Sequence, residues 1–357
     1  MSQSALLKSK NFGPFFATQF LGAFNDNIYK NTLMLIIAFN ASDALGMDTN
    51  LVLNLAAGLF ILPFFLFSGI AGQITDKYEK SSLIRKIKLL EIIIMIAATI
   101  GFMYEKYAFL LVLLFLMGTQ STFFGPAKYA ILPQHLKSDQ LVGGNALVEM
   151  GTFVAILVAT ISAGIIMQFD AYLIIVSVLV ILLSLAGYWA SRGIPKAPSS
   201  IPDLKVSYNP LTTTHDLVKT THQNRPIYLA ILAISWFWFL GAAYLTQFPG
   251  FSKEILNGDT TLVTLLLAVF TIGIGFGSML CEKLSKSRVE LGIVPIGALG
   301  LTVFGVALFF SIPEKPYEVI SWLTFIQTDG NWGLVMNLAG IGISGGIFIV
   351  PLYAYIQ

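Results

Sequence analysis

Apolar residues run along this chain in long blocks, not in alternation or in one-sided stripes. Ten blocks stand out, near residues 13–39, 51–74, 87–104, 107–131, 141–167, 171–190, 227–249, 260–281, 290–311 and 333–356. A helix needs about 20 mostly apolar residues to cross roughly 30 Å of hydrocarbon, whereas barrel strands are alternating segments of about ten. Blocks that are apolar all round therefore predict ten transmembrane helices. One long polar connection interrupts them, at residues 191–226, with three of the 14 prolines in SRGIPKAPSSIPD. It divides the chain into an N-terminal six-helix half (1–190), a cytoplasmic linker (191–226) and a C-terminal half (227–357) with four helices. The opening stretch MSQSALLKSKNFGPFF lacks an apolar core followed by a small-residue cleavage site, so the first block is expected to be retained.

Composition agrees with the pattern. Hydrophobic residues make up 56% of the 357 and charged ones 11%, against about 25% in a soluble domain. Mean hydropathy is +0.78. A net charge of +2 gives no basic surface for nucleic acid. Cys281 is the one cysteine, which excludes a disulfide framework or a cysteine-rich metal site, and no cofactor is expected. With the N-terminus in the cytoplasm, sixteen of the 21 basic residues fall in cytoplasmic segments, among them Lys77, Lys80, Arg85, Lys86 and Lys88 between the second and third blocks. The outside then holds Lys106, Lys253 and Lys315, and Lys30 and Lys128 lie within spans. That excess is the positive-inside signature of a multi-pass protein with a cytoplasmic N-terminus.

The halves share a repeat. The second block ends Gly69-IAGQIT-Asp76-Lys77-YE-Lys80, and the eighth ends Gly275-FGSMLC-Glu282-Lys283-LS-Lys286: glycine, six residues, acid, lysine, two residues, lysine. A weaker match is FLGA, at 20–23 and again at 239–242. Parallel repeats mark a large class of transporters. The first site resembles the signature loop of the major facilitator superfamily, without the usual glycine-arginine pattern after the acid. Glycine permits close helix approach, and an acid at a helix end can pair with basic residues or a neighbouring helix N-terminus. These eight positions are candidates for a conformational latch; the plainer alternative is a positive-inside loop with an incidental acid.

A narrower resemblance lies in FNDN at 24–27 and FFGPAKYAILPQHL at 123–136. Both are similar to bacterial lysophospholipid transporters, a membrane domain also found fused to acyltransferase and acyl-ACP synthetase domains. The resemblance runs from residue 12 onward. It implies the twelve-helix major facilitator fold, two helical halves related by a pseudo-two-fold, of which ten helices are present, the C-terminal half stopping after its fourth. It also implies inward movement of lysophospholipid, typically lysophosphatidylethanolamine, across the bacterial inner membrane for reacylation, with membrane lipids and an acyltransferase or acyl-ACP synthetase as partners, fused or separate. The alternative is an ion-coupled carrier of a small polar solute on the same fold. An enzyme within these residues is not expected, because the acyltransferase pair His-x4-Asp is absent; His135 and Asp139 are His-x3-Asp.

Charges inside spans cost about 2.5–3.5 kcal/mol each on insertion scales, which makes them functional candidates. Successive residues of a straight helix are turned by about 100°. Counted from Asp26, Gln19 falls at about 20°, Lys30 at about 40°, Asn27 at about 100° and Asn31 at about 140°, all on one face, while Asn25 falls at about 260°, towards a neighbouring helix. Asp26 and Lys30 are spaced to pair, either as a structural ion pair or as a zwitterion site in which Asp26 takes an ammonium and Lys30 or Lys128 a phosphate. Gln120, Phe124 and Lys128 are spaced by four and offer a polar entry, an aromatic wall and a charge; Pro126 should bend their helix. Lys128 can equally snorkel to the headgroups. Glu149, with Asn145 one turn before it, is either a coupling site or a packing hydrogen-bond donor. Glu91 is expected to meet the basic residues 85–88. Trp236, Trp238 and Tyr244 are candidate pocket-lining aromatics. His135, His215 and His222 fall in expected loops. Glycines 273, 275, 277, 342, 345 and 346 mark close helix packing, not a phosphate loop.

Overall fold

A computed structural model describes residues 3–39, 46–47, 49–286, 288–314 and 316–357. Lys315 lies outside the described residues. Fourteen α-helices occur among them: α1 (Gln3–Leu7), α2 (Gly13–Phe39), α3 (Thr49–Lys77), α4 (Lys80–Met103), α5 (Tyr107–Ala130), α6 (Leu132–His135), α7 (Leu141–Ile166), α8 (Tyr172–Arg192), α9 (Pro210–Gln223), α10 (Arg225–Gly250), α11 (Thr260–Leu284), α12 (Val294–Phe310), α13 (Trp322–Gln327) and α14 (Trp332–Ile356). The ten long ones coincide with the ten apolar blocks. Eight are long and apolar enough to cross a membrane; α2 and α4, with 27 and 24 residues, match them in length but carry polar and charged side chains.

The largest boundary difference is at α4, which begins at Lys80, seven residues before the apolar block. Glu79 explains it. Its carboxylate accepts hydrogen bonds from the N–H groups of Ser81 and Ser82, satisfying donors that a helix start leaves open, so the helix runs through the basic residues 85–88. The linker also differs from a plain polar connection: α9 forms within it, and places His215 and His222 on a helix; His135 ends α6.

The helices gather into two compact units. One comprises Met1–Leu136 and Val158–Gln223, the other Lys137–Leu157 and Asn224–Gln357. The core of the first is built on α2: Ile28, Tyr29, Leu33 and Ile36 are fully buried with Met95, Ala98 and Phe102 of α4 and Leu110, Leu114 and Met117 of α5. Tyr29 satisfies its buried hydroxyl by donating to the Leu110 carbonyl at 2.7 Å, as a buried tyrosine must. In the second unit, α14 packs so closely on α11 that a methyl on Gly277 would overlap the Ile343 carbonyl, and one on Gly346 the Ile274 carbonyl. The glycines of these helices serve close approach, as expected from their place in apolar spans.

Candidate functional site

α2 carries a polar girdle through the first unit, and its side chains reach four other helices. Asn25 is fully buried and donates to Glu91 Oε1 of α4 at 2.8 Å. Asp26 Oδ2 accepts from the Ser121 hydroxyl of α5. Asn31 donates to Thr160 Oγ1 of α7 at 2.9 Å. Lys30 lies over the Phe60 ring of α3, 5.2 Å from its centroid. The helical wheel sets Asn25 on a side of its own, and there it meets α4, whereas Asp26, Lys30 and Asn31 meet α5, α3 and α7.

The expected Asp26–Lys30 pair is not among the ion pairs of the described residues. Ser121 takes one carboxylate oxygen, and Lys30 Nζ donates instead to Asn27 Oδ1 at 3.0 Å. Asp26 Oδ1 is buried with no hydrogen-bond partner among the described residues. A carboxylate oxygen in that state is poised to accept from a donor that enters the site.

Beside this girdle sits a charge pair that the sequence reading did not single out as a site. Lys88, assigned above to a cytoplasmic segment, is buried, and its Nζ lies 2.6 Å from Glu91 Oε2, itself fully buried. Gln120 Nε2 donates to the same oxygen at 3.2 Å, and the Lys88 ammonium lies 5.0 Å from the centre of the Phe124 ring. Gly22 makes the space: a side chain there would collide with Lys88 Nζ. Glu91 does meet a base of the 85–88 cluster, but as the hub of a buried network. Gln120 and Phe124 belong to that network. Ser121 joins it to the girdle: its hydroxyl, with a single proton to donate, stands within hydrogen-bond reach of both Asp26 Oδ2 and, at 3.0 Å, Gln120 Oε1. The clue available in the sequence was the Lys88–Glu91 spacing of three on a long helix.

The remaining candidates are placed as follows. Lys128 is half-buried, and its ammonium lies 5.1 Å from the ring centre of its neighbour Tyr129. Helical rise puts it about 10 Å along α5 from Ser121. Glu149 is fully buried in the second unit. Asn145 there exchanges two hydrogen bonds of 2.9 Å with Gln357. Trp238 stacks on Phe153 at 5.7 Å and donates to the Tyr353 hydroxyl at 2.7 Å, while Trp236 is half exposed. Tyr244 helps line a small apolar cavity of about 10 Å³ with Phe237, Phe270 and Leu301.

The two repeat sites differ in what they touch. At the first, the linker is strapped across the α3–α4 turn. Lys80 is buried and donates to the Pro198 carbonyl and to Ser200 Oγ, both at 3.0 Å. Ala197 N–H donates to Glu79 Oε1 at 2.8 Å, and the Asp76 backbone carbonyl accepts from Ser200 and Ile201. Gly69 faces Thr213 of α9, and Lys77 lies over the Tyr78 ring. At the second, Gly275 faces Met150 and Glu282 faces Gly143, both on α7, while Lys283 and Lys286 are exposed. Burial alone would raise the Glu79 carboxyl, but hydrogen bonds from the Ser81 side chain and from the N–H groups of Ala197, Ser82 and Ser81 outweigh it and hold it below its ordinary 4.5.

A helical membrane chain in two units, with charged side chains buried between its spans, has the build of a transporter, and comparison with known families decides which. The family model of the Major Facilitator Superfamily matches residues 15–357. The chain belongs to the Major Facilitator Superfamily. Among curated relatives, the lysophospholipid transporter LplT of Escherichia fergusonii is 27% identical, covering 98% of this chain and 81% of that protein. The LplT of Klebsiella pneumoniae is 26% identical over the same shares. Among solved structures, the transporter FucP in its outward conformation superposes with a TM-score of 0.65 at 15% identity, over 97% of this chain and 88% of that one. A bacterial homologue of the iron transporter ferroportin, outward-facing, gives 0.57 at 13% identity, over 96% and 83%. At such identities the solved structures speak for the fold alone. The superfamily fold and the transporter relatives make this a multi-pass membrane carrier, not an enzyme.

Proposed function

We propose that the protein moves lysophospholipid, with lysophosphatidylethanolamine as the typical cargo, inward across the bacterial inner membrane by alternating access. One observation carries the reading furthest: Asp26 and Lys30 stand one turn apart on α2, and no ion pair joins them among the described residues. A phosphoethanolamine headgroup brings an ammonium and a phosphate, and the site offers an unsatisfied carboxylate oxygen for the first and an ammonium for the second. Asn27 and Asn31 add amide donors and acceptors beside them. Similarity to proteins named lysophospholipid transporters over 98% of the chain supports the same cargo.

In this reading Gln120 and Phe124 hold the site from α5, Lys128 meets phosphate along the entry path, and Glu149 is a coupling site or a packing hydrogen-bond donor. The N-terminus is cytoplasmic, residues 1–190 and 227–357 act as the two moving halves about the 191–226 linker, and the glycine-acid-lysine sites latch them. The lysolipid delivered is consumed by an acyltransferase or acyl-ACP synthetase, as a separate partner or a fused domain. Spheroplasts expressing the full chain should accumulate labelled lysophosphatidylethanolamine above a non-expressing control. Equal uptake in the two, with a small polar solute carried instead, would overturn the proposal.

A further inference from the structure

The open face of α2 changes character along its length. Every residue from Gly13 to Ile37 is either buried or at most partly exposed. By contrast, α3, α4, α10 and α12 turn exposed Phe65, Ile93, Phe239 and Phe309 outward, 58–72% accessible, as lipid-facing helices do. Most of the partly exposed positions of α2 form one stripe, which includes Phe16, Phe20, Ala23, Phe24, Lys30 and Asn31. These six fall within a sector of about 120° on the helical wheel, so a single partly exposed side runs along the helix.

Along the N-terminal part of this stripe the rings follow one another at successive turns. Phe16 stacks on Phe20 with centroids 6.3 Å apart, and Phe20 meets Phe24, tilted, at 6.3 Å; the buried Phe12, just before α2, stacks on Phe16 at 6.0 Å. Ala17 and Ala23 flank the ladder and leave room beside it. One turn past Phe24 the same side becomes Asn27, Lys30 and Asn31, with Asp26 at its edge. Apolar rings followed by a polar cluster on one partly exposed face match a molecule that is apolar at one end and zwitterionic at the other. The lengths agree: Phe16 to Asp26 is ten residues, about 15 Å by helical rise, which is half of a hydrocarbon core of roughly 30 Å and so about one acyl chain.

We propose that Phe16, Phe20 and Phe24 form the acyl-chain track of the substrate, holding a single chain along α2 towards its N-terminal end while the headgroup sits at Asp26–Asn31. This deepens the proposed function and rests on it. Specificity for chain length then resides in the ladder, apart from the charges that recognise the headgroup.

The test is uptake by the full-length chain of labelled lysophosphatidylethanolamines with 8, 12 and 16 carbons, comparing Phe20→Ala and Phe20→Trp with the unchanged protein. Phe20→Ala should raise the apparent KM for the 16-carbon lipid, about fourfold per methylene no longer covered, and leave the 8-carbon lipid unchanged. Phe20→Trp should shift preference to the shorter chains. An equal change for all three lengths, or none, would overturn the track while lysolipid transport itself stands. Absence of lysolipid uptake by the unchanged protein would overturn the reading beneath both. Membrane yield and thermal stability of each variant separate a folding defect from a change in preference.

Discussion

Asp26 and Glu91 are both acids in the interior of the first unit, yet their surroundings give them different tasks. Glu91 accepts from Lys88, Gln120 and Asn25, so it is satisfied and its removal leaves a buried ammonium without a counter-charge. Glu91→Ala should therefore cost about 3–5 kcal/mol, read as a large fall in the melting temperature of purified protein. The double variant Lys88→Met with Glu91→Met should recover most of that, because it removes both charges and keeps the volume. Equal losses in the single and double variants would show that the pair itself is the stabilising element. Asp26 retains an unpartnered oxygen, so Asp26→Asn should leave insertion and melting temperature intact and reduce lysolipid uptake at least tenfold. Normal uptake in that variant would make Asp26 structural. The sequence made Asp26 and Lys30 stand out because charge inside an apolar block is visible in one dimension. It hid Lys88, because a lysine near a helix end is buried or solvated according to what other helices bring to it, here the Phe124 ring of α5 and the space left at Gly22 of α2.

At the scale of elements, hydropathy located the ten long helices to within a few residues, apart from the start of α4, since length and apolarity are local properties. The start of α4 and the course of the linker depend on hydrogen bonds between distant segments. Glu79 joins them: it caps α4 and accepts the Ala197 N–H. Glu79→Ala should speed amide exchange at Ser81, Ser82 and Ala197 together and cost about 1 kcal/mol as a lost cap. Exchange accelerated at Ser81 and Ser82 alone would show that the strap does not depend on this carboxylate. The pH dependence has a defined sign. A carboxyl held below its ordinary 4.5 contributes stability that is fully present above that value and is lost as pH falls through the lowered one. Protection of Ala197 should thus be flat from neutral pH down to about 4.5 and decline only below it.

For the whole molecule, the internal repeat is the feature whose consequence reaches furthest. The same glycine-acid-lysine spacing ends α3 and α11, but one copy meets the linker and the other meets the first half of α7. At the second, a methyl on Gly143 would lie 2.7 Å from Glu282 Oε1, and one on Gly275 would lie 3.0 Å from Met150 Cγ, so α7 and α11 meet there through side chains laid against glycines. If that contact is a latch released during transport, loosening it changes how often the end of α11 is uncovered without unfolding the unit. Glu282→Gln and Gly143→Val should then each change the alkylation rate of the buried Cys281 several-fold in membranes, and both should slow lysolipid uptake. A joint that is only structural predicts a different pattern. Gly143→Val would lower the melting temperature through overpacking, by about 1–3 kcal/mol, while Glu282→Gln would leave both labelling and uptake unchanged. The two variants act on the same contact from opposite helices, so agreement between them in labelling, at an unchanged melting temperature for Glu282→Gln, is the outcome that a latch requires and a static joint does not produce.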